Sequence, residues 1–162
     1  MHNQQILSKL VTAYHNHFCY SNGQCGEFAF ATVILLDHFG HYASLCTSYD
    51  DDNSRENPIH SFIYCGGWYF DHVHLTQSEI EFFDLDERFL DPDGYYEGDY
   101  PNVEMDQDFE SFFWDVRNYV CFCWECIESL LKEFEEIFSI KIKQDIIEKY
   151  QREYNNFVLC TV

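Results

Sequence analysis

A chain of 162 residues with 29 acidic and 9 basic side chains carries a formal net charge of −20 at pH 7. Such a field repels phosphate backbones, which are bound by Lys and Arg that displace counterions, so direct nucleic-acid binding is excluded as a function. The length suits a single α+β domain, residues 1–162, that buries its own core without needing disulfides.

The opening MHNQQILSKL has no apolar leader core, and no apolar run reaches the roughly 20 residues of a spanning helix. No membrane partner is therefore expected. Most of the eight Cys sit inside apolar runs (SLCTSY, FIYCGG, VCFCWEC), where a thiol behaves as a small hydrophobe. That usage points to a reducing, cytoplasmic compartment.

Residues 3–17 place Ile6, Leu7, Leu10, Val11 and Tyr14 at helical spacing and predict a first amphipathic helix. CYSNGQ, residues 19–24, reads as a turn-rich loop. GEFAFATVILLDH, residues 26–38, is apolar almost all round and predicts a buried helix stopped by Gly40. A strand over 41–49 and an exposed loop over 50–58 follow. Two β-rich runs, IHSFIYC and WYFDH, flank Gly66–Gly67, which predicts a tight hairpin. Ser78 and Glu81 suggest the capping box of a short helix over 79–90. Residues 91–107 read as an extended acidic loop. Residues 108–138 read as one or two helices, with CFCWEC inside unbroken helix. A final helix is expected over 143–155, with a short strand possible over 140–143.

The charge is unevenly spread. Residues 1–74 carry 7 acids and 2 bases, residues 75–162 carry 22 and 7, and 79–110 alone holds 13 acids with one base, Arg88. The chain therefore divides into a candidate catalytic core, 1–74, and an acidic, mainly helical extension, 75–162.

Chemistry-bearing residues concentrate in the first part. Cys25 stands where a Gly-containing loop gives way to the buried helix, and a helix N-terminus favours a thiolate through its amide donors and dipole. His60 opens the first hairpin strand and Asp71 lies on the second. With the turn between 66 and 67, residues whose numbers sum to about 133 face one another. Asp71 is then diagonal to His60, at a backbone distance of roughly 7–8 Å that side chains can close. A carboxylate can thus orient an imidazole whose other nitrogen serves a thiol.

GQCGEFAFA around Cys25, IHSFIY around His60 and GGWYFD ending at Asp71 together resemble the transglutaminase-like branch of the papain-like cysteine superfamily. The resemblance covers about residues 20–74. It implies a core in which a buried helix packs on a small antiparallel sheet, and acyl transfer on a protein or peptide amide. It would make Cys25 the nucleophile, His60 the base and Asp71 the orienter. Gln24 and the Cys25 amide are the oxyanion candidates, although Gln24 adjoins the nucleophile instead of preceding it by several residues. Glu27 and the negative field oppose a thiolate, and a charged His60 would have to outweigh them. A retained fold without activity is the nearest variant of this reading.

An alternative comes from charge alone. An acidic protein can imitate a nucleic-acid backbone and dock on a basic protein partner, and small anti-restriction and anti-CRISPR proteins share this composition. The 79–110 stretch is the expected docking surface. Cys121, Cys123 and Cys126, with His15, His17 and Cys19, could supply zinc ligands, but Cys packed among aromatics explains them as well. Asp91, Asp93, Glu97 and Asp99 lack EF-hand spacing. No cofactor and no metal is expected.

Overall fold

A computed structural model describes residues 1–14, 24–49, 58–66, 68–70, 95–97, 103–117 and 122–161. The chain is α+β. Helices α1 (Asn3–Tyr14) and α2 (Cys25–His38) precede strands β1 (Ser44–Tyr49), β2 (Pro58–Cys65), β3 (Trp68–Phe70), β4 (Tyr95–Glu97) and β5 (Val103–Gln107). Helices α3 (Phe109–Val116), α4 (Trp124–Phe138) and α5 (Gln144–Thr161) follow. The strands form one antiparallel sheet in the order β4-β3-β2-β1-β5.

The hairpin forms in the expected register. Ile63 faces Phe70, Tyr64 faces Tyr69 and Cys65 faces Trp68. Gly66 adopts φ 60°, and an added Cβ there would collide with the Asn3 side-chain amide. Asn3 also donates to Cys65 Sγ at 3.7 Å, so the start of α1 is seated on the hairpin turn. The expected helix over 79–90 and the end of the second hairpin strand, 71–73, lie outside the described residues.

Strand alternation assigns the two sheet faces. Leu45 pairs with Ile63, which pairs with Phe70, and all three join the main core with Cys65. That core takes side chains from every described helix, including Leu7 and Leu10 of α1, Phe30 and Ile34 of α2, Phe112 and Phe113 of α3, Leu130 and Phe134 of α4, and Tyr150 of α5. Phe30 lies at its centre, with aromatic contacts to Phe109, Phe112, Phe113 and Tyr150. Cys46, Ser48, His60 and Phe62 alternate to the other face and are buried too.

α2 is buried around most of its circumference, from Cys25 to Leu36. It ends at Gly40, whose φ of 80° turns the chain. The Gly40 amide reaches Asp37 O and the His41 amide reaches Leu36 O, satisfying carbonyls that the helix leaves open.

Four sequence expectations change. The acidic loop over 91–107 contains β4 and β5, so the segment read as a helical extension supplies two strands of the same sheet. The segment over 108–138 forms two helices, within the expectation, but CFCWEC is not continuous helix: Cys123 is extended, with φ −147° and ψ 156°, and caps α4. The last helix runs on to Thr161. Residues 140–143 form no strand, since Ile142 turns into the core with Ile140 packed against it. Among the described residues, no helix is long and apolar enough to cross a membrane.

Candidate thiol site

Cys25 is the first residue of α2, and Gln24 is the N-cap, with φ −108°, ψ 12° and no side-chain capping bond. The first-turn amides and the positive end of the helix therefore act on the thiol without a competing side-chain acceptor from Gln24. Cys25 Sγ accepts the backbone N–H of Ser61 at 3.4 Å. A strand N–H lies close to the plane of its sheet, so the sulfur sits beside β2 at the level of the residue that follows His60. The helix expected to carry the nucleophile and the strand expected to carry the base thus meet at this point.

His60 pairs across the sheet with Ser48, and its ring stacks on Phe62 with centroids 6.1 Å apart. Alternation sets this ring on the face of Phe62, while Ser61, Ile63 and Cys65 project to the face that α2 covers. Both partners are enclosed, Cys25 at 4% and His60 at 5% exposure. Asp71 lies outside the described residues.

Glu27 departs from its sequence reading. It is fully buried, and neither carboxyl oxygen has a hydrogen-bond partner. Burial pushes its carboxyl up to about 7, while the backbone amides of Glu27 and Cys123 pull the other way without reaching regular bonding geometry. A carboxyl half protonated near neutral pH opposes a Cys25 thiolate less than a permanent charge two residues away. The signal was present in the sequence, because Glu27 begins the otherwise apolar run EFAFATVILL.

Sequence reasoning missed a polar network on the same sheet face. Thr47, directly opposite Ser61, donates to Gln107 Oε1 at 2.5 Å. Gln107 donates to Asp115 Oδ2 at 2.6 Å, and Tyr49 donates to the same oxygen at 2.6 Å. Burial and the adjoining carboxylates of Asp115 and Glu104 push the Tyr49 hydroxyl far up, so it stays a donor. The network fastens β5 and α3 to β1 alongside the position where Cys25 meets β2.

A cleft of about 630 Å³ opens at the other end of α2, lined by residues including Asp37, His41, Tyr42, Asp106 and Tyr150. Neither Cys25 nor His60 lines it, so its size says nothing about the thiol site. Among the described residues, no three His, Cys, Asp or Glu side chains are arranged to hold a metal ion. The zinc candidates His15, His17, Cys19 and Cys121 lie outside those residues.

The acidic stretch 79–110 is described only in part, and three of its acids have structural roles. Asp106 accepts from Tyr42 and Ser44, which hold its carboxyl below the usual range. Asp108 caps α3 by accepting the Ser111 amide at 2.8 Å, and Glu104 accepts from Tyr49 and Gln107. Asp84, Asp86, Glu87, Asp91 and Asp93 lie outside the described residues. No family model, curated protein or solved structure matches this chain.

Proposed function

We propose that the chain is a cysteine-dependent acyl-transfer protein of transglutaminase-like, papain-like type, acting on a protein or peptide amide. The observation that carries the reading is the Ser61 amide on Cys25 Sγ, which joins the first turn of α2 to the His60 end of β2. In this reading the Cys25 thiolate attacks the amide carbon, and the carbonyl pair moves to oxygen beside the Cys25 amide and Gln24. His60, oriented by Asp71, gives its proton to the leaving amine once its imidazole has turned from the Phe62 face toward Cys25. Water or a second amine then releases the acyl group from sulfur.

The test is the alkylation rate of each thiol by iodoacetamide near neutral pH. A thiol as enclosed as Cys25 should react more slowly than exposed Cys160 unless something activates it. Cys25 is expected to react faster, and His60→Ala, checked for fold by circular dichroism, to slow it by about tenfold or more. Slower labelling than Cys160, indifferent to His60→Ala, would remove the enzyme reading.

A second reading is docking on a basic protein partner, with Glu125, Glu128 and Glu136 exposed along α4. Such binding should weaken steeply with salt, as the Debye length falls from about 10 Å at 0.1 M to about 3 Å at 1 M. Changing Asp84, Asp86, Glu87, Asp91 and Asp93 to Lys should weaken it, and changing Glu125, Glu128 and Glu136 as well should abolish it. Binding that ignores both salt and these changes would end this reading.

A further inference from the structure

The break before α4 puts two cysteines at a helix N-terminus. Cys123 is the N-cap and Cys126 the third helical residue, and their sulfurs lie 3.1 Å apart in thiol–thiol contact. Closing a disulfide of about 2.05 Å asks them to approach by about one ångström. Both are half-buried, so a small molecule can reach them.

We propose that Cys123 and Cys126 form a redox-active dithiol that exchanges with small cationic or neutral disulfides. Cys123 loses its proton to solvent, and the thiolate attacks one sulfur of the external disulfide. A mixed disulfide forms, the external bond breaks, and the departing thiolate takes up the proton. Cys126 then loses its proton in the same way and attacks the Cys123 sulfur, closing the internal disulfide and releasing the second thiol. The dithiol is oxidised by two electrons, and the external disulfide is reduced to two thiols carrying the two cysteine protons. The preference of charge follows from Glu125, which lies between the cysteines in sequence, and Glu128 in the next turn, both exposed. They repel an anionic disulfide and attract a cationic one. The proposal does not depend on Cys25.

The test uses the full chain with cystamine (cationic), hydroxyethyl disulfide (neutral) and glutathione disulfide (anionic). Products are mapped by alkylation and mass spectrometry, and rates are normalised to N-acetylcysteine. The wild type is expected to end as the Cys123–Cys126 disulfide without an adduct, and Cys126→Ser to stop at an adduct on Cys123. Cystamine should outpace glutathione disulfide by about tenfold at low salt, with the gap closing as salt rises. Stable adducts in the wild type, or an internal bond to Cys121 instead, would overturn the dithiol assignment. Equal normalised rates would overturn the charge preference.

Discussion

Glu27→Gln should stabilise the protein, and by an amount that depends on pH. The folded-state carboxyl lies at about 7 against an ordinary 4.5, because burial penalises its charged form. An acid whose folded pKa exceeds its unfolded one binds protons more tightly in the native state, so its contribution turns against folding as pH rises. The penalty is absent below about 4.5 and complete above about 7, where it amounts to about 3 kcal/mol at about 1.4 kcal/mol per pH unit. Gln retains shape and polarity and cannot ionise. Urea unfolding of both proteins, followed by tryptophan fluorescence, should show the stability gap in favour of the variant widening by about 2.5 kcal/mol between pH 5 and pH 8. The other acids are common to both chains and largely cancel in the difference. A gap that stays constant across that range would mean that Glu27 is solvated or paired, and would refute the argument.

Gly66→Ala should destabilise by about 2 kcal/mol or more, since its positive φ costs about 1–2 kcal/mol for an L residue and the new methyl meets Asn3; a variant unfolding at the same urea concentration as wild type would contradict the hairpin geometry. Asp108→Ala should cost about 1 kcal/mol by removing the acceptor for the Ser111 amide, and Asp108→Ser should recover most of it, both read by urea denaturation.

The parts of the fold that could be read in advance were those in which local pattern and tertiary demand agree. Gly66–Gly67 between two β-rich runs fixes the turn, and the pairing of Ile63 with Phe70 follows from it. The apolar run of α2 is too long for a strand and needs burial on nearly every side. Strand β5 carries no such signal. VEMDQ holds no apolar stripe, and its Glu104 and Gln107 are fixed by Thr47, Tyr49 and Asp115, so it is a strand only because β1 offers an edge. The start of α4 was hidden for the opposite reason, because NYVCFCWEC is apolar almost throughout and Cys is a poor helix cap. At the candidate site, sequence order indicated that Cys25 and the start of β2 would meet. It could not indicate that the contact would be made through the Ser61 amide, or that the His60 ring would lie with Phe62.

The acidity bears differently on the two functional readings once its partners are known. With 9 basic residues for 29 acids, most carboxylates cannot find a cation, and four tyrosines among the described residues supply donors instead. Tyr14 donates to Glu133 at 2.6 Å, Tyr42 to Asp106 at 2.5 Å, Tyr49 to Asp115 at 2.6 Å and Tyr150 to Asp37 at 3.0 Å. A hydroxyl bonded to an ionised acceptor is stronger than a neutral pair, and it leaves the negative charge of the carboxylate in place. Asp106, held below its usual range by Tyr42 and Ser44, therefore contributes stability that is present above the ordinary carboxylate range and is lost as pH falls through its lowered value. Part of the −20 charge is thus committed to holding β1, β5, α3 and α5 in place. Among the described residues, a docking surface can draw on carboxylates such as Glu110, Glu125, Glu128 and Glu136, which are exposed. Reversing acids across the whole chain would confuse the two roles, because losing the tyrosine acceptors would unfold the protein while losing the exposed α4 carboxylates would not.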